Sequence, residues 1–125
     1  MLRILIADDH DGVRHALKRM LLEEFPAVFI EEAEDTRVLI SKANSEEWDI
    51  VISDLVMPGG GGFTALKSLK ITRPGLPIII FSTYPPEQYG DRVVSAGAAA
   101  FVSKDAPPAK LVQVVRQILD AQSTN

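Results

Sequence analysis

Asp8 and Asp9 stand side by side near the start of the chain, Asp54 lies near its middle, and Ser82 and Lys104 follow later. Each comes at the end of a short apolar run or just beyond it. Brought to one place, three carboxylates repel one another: two unit charges about 4 Å apart cost roughly 4 kcal/mol at an effective dielectric of about 20. Such a cluster holds a proton or a cation. With oxygen donors and no cysteine anywhere in the chain, a hard divalent ion is favoured. Mg2+ suits a site of one or two carboxylates completed by water and phosphate. Lys104 could then act as a point charge for a phosphate oxygen, and Ser82 could donate a hydrogen bond to another. Singly, each residue has a plainer use: an aspartate after a strand is most often a helix cap, and a serine there satisfies local backbone. The chemistry needs all of them at one edge.

The rest of the sequence supplies that edge. Apolar, strand-like runs fall at Leu2–Ala7, Val28–Ala33, Ile50–Ser53, Pro77–Phe81 and Ala99–Val102. Between them lie helical periodicities. Val13, Leu17, Met20 and Leu21 form one stripe, Val38, Leu39 and Ala43 a shorter one, and Phe63, Leu66 and Leu69 a third. Leu111, Val114, Val115, Ile118 and Leu119 make the clearest apolar face. Asp11, Asp35 and Asp105 are expected helix N-caps, and Pro86 and Pro107 expected helix starts. Residues 85–96 give the weakest helix, a natural place for movement.

Strands alternating with helices, the central strands apolar throughout, predict an α/β fold: a doubly wound parallel sheet covered on both faces. Its flavodoxin-like form has five strands in the order 2-1-3-4-5 with five helices. In such a sheet every loop that enters a helix emerges at the carboxyl ends of the strands, so the five chemical residues converge there. Residues 1–120 form one expected domain, and 121–125 a polar tail that could begin a linker.

Composition narrows the classes further. The chain is 46% hydrophobic and 24% charged, with a formal net charge of −4. That is the balance of one soluble globular domain with no general electrostatic attraction to nucleic acid or an anionic membrane. Its apolar runs are too short to span a bilayer, and MLRILIADDH lacks a signal-peptide pattern, so a cytoplasmic protein is expected. The absence of cysteine excludes a disulfide framework, thiolate metal sites and a thiol nucleophile.

Four consecutive glycines, Gly59–Gly62, follow Asp54 and Pro58. They are not a P-loop, because Phe63-Thr64 stand where that motif needs Lys followed by Ser or Thr. Each costs about 0.5–1 kcal/mol of chain entropy relative to alanine, so a loose hinge beside Asp54 is expected. Surface or capping roles are expected for His10 and His15. Trp48 precedes the third strand and so stands six residues from Asp54. At about 3.3 Å per residue the two are roughly 20 Å apart, and Mg2+ is expected to alter its fluorescence little.

Asp8 and Asp9, Asp54 with Met57, Pro58 and Gly62, Ser82, Phe101 and Lys104 together closely resemble the receiver domain of two-component response regulators. The resemblance covers essentially the whole chain. ADDH near the start and KD near the end look like the NarL/FixJ subclass, whose receivers usually precede a DNA-binding helix-turn-helix domain. The resemblance implies that Asp54 takes a phosphoryl group from a phosphohistidine of a sensor histidine kinase. Asp8, Asp9, Asp54 and the Val56 carbonyl would hold Mg2+ or Mn2+. Ser82 and Phe101 would form a switch pair, and phosphorylation would promote a homodimer. Any DNA binding would belong to an output domain outside this chain, and no membrane partner is implied.

Two positions depart from acids or amides that could orient an attacking water: Val56 and Tyr84, each two residues past Asp54 or Ser82. They predict slow self-dephosphorylation and no enzymatic turnover beyond it. A haloacid dehalogenase-type phosphatase would need a second aspartate where Val56 stands. A flavin domain would need a hydroxyl-rich phosphate loop after the first strand. A phosphorylation-independent interaction module on the same fold remains the alternative.

Overall fold

The computed structural model describes residues 1–123. The elements alternate strictly: β1 Arg3–Ala7, α1 Asp11–Glu24, β2 Phe29–Ala33, α2 Thr36–Ser45, β3 Ile50–Ser53, α3 Gly61–Thr72, β4 Ile78–Ser82, α4 Pro86–Ser95, β5 Ala100–Ser103 and α5 Pro108–Ser123. The strands form one sheet in the order β2-β1-β3-β4-β5, with every neighbouring pair parallel. The architecture is the one the alternation predicts.

Because successive strand side chains point to opposite faces, the sheet divides its apolar residues between two layers. Leu5, Val51, Ile78 and Ile80 meet Leu39 of α2, Leu66 and Leu69 of α3 and Val93 of α4. Ile4, Ile6, Ile50, Ile52 and Ile79 meet Leu17 and Leu21 of α1 and Leu111 and Val115 of α5. Both faces of β1, β3 and β4 are therefore buried, which is why these strands read as unbroken apolar runs. The chain leaves β1 toward β2 on one side and returns to β3 on the other. The crevice between the β1 and β3 ends is thus the switch point of the sheet, where ligands bind in this class of fold.

Several local details differ from the sequence reading. Asp35 does cap α2, its carboxylate accepting from Val38 N at 2.8 Å. Asp11, however, is the first helical residue of α1 behind His10, and its carboxylate bonds Arg14. Asp105 lies in a turn, its N–H donating to Ser103 Oγ at 3.1 Å. Helix α5 opens at Pro108, one residue past the expected start, and continues through Ser123, so the expected tail from residue 121 is helical as far as the described residues go. Helix α4 forms with Val93 as its one buried residue, Pro86 starting it.

The glycine run is a shaped turn. Gly59, Gly60 and Gly61 have φ of 91°, 107° and 72°, values that a side chain disfavours. Gly61 N donates to Thr36 Oγ1 at 2.8 Å, Thr36 N to the Pro58 carbonyl at 3.0 Å, and Gly62 N to the Leu55 carbonyl at 2.9 Å. Contacts with α2 and the β3 loop dictate those angles, which is why sequence alone read the run as slack.

Trp48 sits before the amino end of β3, stacked on Phe29 at 6.1 Å with the Arg3 guanidinium 4.8 Å from its ring. It therefore lies at the end of the strand opposite Asp54. A titration of the chain with Mg2+ should leave its fluorescence essentially unchanged.

Candidate functional site

Strand ends build the site. Asp8 follows β1 and Asp54 follows β3, and the two are tied through the sheet, Asp54 N donating to the Ala7 carbonyl at 2.8 Å. Asp8 is 1% exposed and Asp54 8%. Lys104, from the end of β5, reaches across to both: Nζ lies 2.7 Å from Asp8 Oδ2 and 3.3 Å from Asp54 Oδ2. The other oxygen of Asp54, Oδ1, accepts from its own neighbour, Leu55 N, at 2.7 Å. One oxygen of Asp54 thus faces the cation and the other is held by backbone.

Asp9 is more exposed and opens toward solvent. Asp8, Asp9, Asp54 and His10 offer ligand atoms that all lie within 4.8 Å of one another. His10 Nδ1 is 3.0 Å from Asp8 Oδ1 and 3.2 Å from Asp9 Oδ1. The sequence placed His10 correctly as an exposed cap position but missed that its ring joins the acids; His15 is exposed on α1. Three carboxylates crowded around one ammonium fit a hard divalent cation, and the imidazole nitrogen extends that fit to Mn2+.

Burial raises the pKa of Asp54 above the ordinary carboxylate value; Lys104 pulls it down and Asp8 pushes it up. The raised value makes ionised Asp54 a cost to the fold. That cost is absent below the unfolded pKa of about 3.9 and grows as pH rises to the higher folded-state value. Asp54→Asn keeps an oxygen for Leu55 N and removes the charge. Its expected effect at neutral pH is a melting temperature above that of the wild type, because the charge that burial disfavours is gone. Thermal melts along a pH series should show the difference vanishing as pH falls below the carboxylate range.

The remaining residues singled out by sequence surround this core. Ser82 is fully buried at the end of β4, its Oγ accepting from Tyr84 N at 3.1 Å, so its own proton is free to be donated. Phe101, opposite Ile80 in the β4–β5 register, packs half-buried on the layer that contains Leu66, Val93 and Ala98. Val56 and Tyr84 are 53% and 42% exposed, an apolar fringe beside Asp54 and Ser82. On the other face of the sheet end, Val13, Ala16, Met20, Phe81, Pro107 and Leu111 line an apolar groove of about 430 Å³ between α1 and α5 that includes Lys104.

Comparison with known proteins agrees with this geometry. The family described as Response regulator receiver domain matches residues 4–116, and the chain belongs to that family. Response regulator GacA of Pseudomonas viridiflava is 31% identical over 98% of this chain, and the match spans 57% of that protein. Response regulator UvrY of Escherichia coli K12 is 28% identical over 98% of the chain and 56% of its own length. The chain therefore spans little more than half of these curated relatives. Among solved structures, a LuxR-family two-component response regulator from Aurantimonas superposes with a TM-score of 0.88 at 32% identity, over 95% of this chain and 85% of that one. RcsB of Salmonella enterica, bound to promoter rprA with phosphomimetic BeF3−, gives 0.82 at 28% identity, over 93% of this chain and 67% of that one. The protein is a response-regulator receiver domain of the kind found in NarL/FixJ-type regulators.

Proposed function

We propose that Asp54 is the phosphoacceptor, taking a phosphoryl group from a phosphohistidine of a sensor histidine kinase. The observation that carries this reading is Lys104 Nζ held between Asp8 and Asp54 at the mouth of the switch-point crevice. An Asp54 oxygen attacks phosphorus, the phosphorus–nitrogen bond breaks, and the histidine leaves with its electron pair. Asp8, Asp9, Asp54 and the Val56 carbonyl would hold Mg2+, which would neutralise charge on the transferring group. Lys104 stabilises an equatorial oxygen of that group, and the Ser82 hydroxyl donates to another. Little covalent chemistry is left for the protein to do; it places charges.

The product is an aspartyl-phosphate, and Ser82 with Phe101 carries the news of it. A hydroxyl that turns to the phosphate and an aromatic ring that turns into the layer behind it would bias two arrangements of the α4–β5–α5 face. The reading extends to a phosphorylation-dependent homodimer and, in a longer chain, to a DNA-binding output domain controlling transcription. RcsB, solved as two dimers bound to two parallel DNAs and 27% identical to this chain, supports that extension by relationship.

Intact-mass measurement after incubation with acetyl phosphate and Mg2+ tests the core of the proposal. One phosphoryl group should appear, and it should be lost with chelator and in Asp54→Ala. No uptake by the wild-type chain would return the phosphorylation-independent interaction module as the better reading. Self-dephosphorylation should be slow, because neither Val56 nor Tyr84 is an acid or amide that could readily orient an attacking water. Val56→Asn should shorten the phosphorylated half-life several-fold, and a wild-type half-life of seconds would contradict the water-placement argument.

A further inference from the structure

Arg14 is a buried cation that the proposed chemistry does not use. It lies one turn into α1 and is 9% exposed, on the face that also buries Leu17 and Leu21. Taking a guanidinium out of water is costly unless its donors are met. They are met by three segments of chain. Nη1 donates to the main-chain carbonyl of Asp8, Nε to Glu32 Oε1 of β2 at 3.1 Å, and Nη2 to Asp11 Oδ1.

The contact with Asp8 is the informative one. That carbonyl belongs to the peptide joining Asp8 to Asp9, just beyond the last residue of β1. On the other side of Asp8, its N–H donates to the Ala33 carbonyl at 3.1 Å. The peptide that launches both acidic side chains is therefore pinned by β2 before Asp8 and by Arg14 after it. With the peptide planes on both sides of Asp8 held, its φ and ψ and hence the direction of its side chain are constrained, and the plane from which Asp9 starts is set with them.

We propose that Arg14 is a positioning residue for the cation site: by holding the Asp8 carbonyl it aims the Asp8 and Asp9 carboxylates toward Asp54 and so sets divalent-cation affinity. The inference rests on the reading of these acids as a metal site. Lysine cannot take its place, because one ammonium on a flexible stem lacks the planar fork that reaches a carbonyl and two carboxylates together.

Charge and geometry give opposite signs here, which makes the inference testable. Removing a positive charge near the acids should strengthen cation binding if Arg14 acts only through its field. Losing the clamp should weaken it, by about tenfold if Arg14 behaves like other groups that orient metal ligands. Binding of Mn2+ alone is measured by the electron paramagnetic resonance signal of the free ion, and of Mg2+ by calorimetry. The chains compared are wild type, Arg14→Lys, Arg14→Met, Asp9→Asn and Leu21→Val, the last a packing control on the same helix.

Both Arg14 variants should bind about tenfold more weakly, while Leu21→Val melts lower yet keeps wild-type affinity. Wild-type or tighter binding by the Arg14 variants overturns the inference and leaves Arg14 a structural residue. If Arg14→Met does not fold, Arg14→Lys alone decides between these outcomes. Failure of wild type to bind, or unchanged binding by Asp9→Asn, brings down the metal reading itself and the inference with it.

Discussion

Replacing Lys104 by methionine should cut phosphoryl uptake from acetyl phosphate about 100- to 1,000-fold, the usual loss when a preorganised charge-stabilising donor is removed, and at the same time tighten Mg2+ binding. The two effects arise from one geometry. Lys104 Nζ sits 2.7 Å from Asp8 and 3.3 Å from Asp54, where it already neutralises the carboxylates that a cation would use. A divalent ion entering the cluster must share them with the ammonium. At an effective dielectric of about 20, two like unit charges about 4 Å apart repel by roughly 4 kcal/mol. Relief of even about 1.4 kcal/mol of this is a tenfold gain in affinity.

On the proposed reading the same ammonium is used during transfer, meeting charge that develops on one oxygen of the arriving phosphoryl group while Ser82 meets another. Methionine keeps an apolar stem of similar length against Phe81, whose ring centre lies 5.7 Å from Nζ, so packing loss is small. Calorimetric titration with Mg2+ and uptake measured at saturating Mg2+ separate the two effects. Weaker Mg2+ binding together with undiminished uptake would mean that Lys104 is a structural partner of Asp8 and little else.

What the sequence disclosed and what it hid follow from how local each feature is. Strands β1, β3 and β4 were legible because burial on both faces leaves them polar residues only at their ends, Arg3, Ser53 and Ser82. Asp8, Asp9, Asp54, Ser82 and Lys104 were legible as a set because a parallel doubly wound sheet delivers all its strand ends to one edge. Arg14 was not legible. In the α1 pattern it falls between Val13 and His15 like any solvated helix residue, and its burial depends on Glu32 in a different strand. Thr36 was hidden for the same reason: only the fold brings its hydroxyl to Gly61 N. Asp11 was misread as a cap because cap preference is a local rule, whereas its carboxylate is claimed by Arg14 one turn away. His10 was read correctly for exposure and incompletely for company, since the turn of the chain after β1 brings its ring back onto Asp8.

Gly61→Ala should destabilise the fold by about 3 kcal/mol and lower its melting temperature by roughly 10 °C. Its φ of 72° lies in the left-handed region, which costs about 1–2 kcal/mol once a Cβ is present. The added carbon would also stand 2.2 Å from the Leu55 carbonyl oxygen and 3.2 Å from Val56 Cα. Those atoms are backbone and cannot swing aside as a side-chain tip can, so the Asp54–Val56 segment must shift with them. Cation affinity should therefore fall along with stability. Gly12→Ala provides the contrast: it lies in α1 with nothing within 4 Å of the added carbon, and should gain up to about 1 kcal/mol from helix propensity. The two views of the glycine run then differ in sign. Were Gly61 simple slack, alanine there would restrict the unfolded chain and raise stability by about 0.4–1 kcal/mol. A shaped turn gives the opposite result, and one pair of thermal melts is enough to tell them apart.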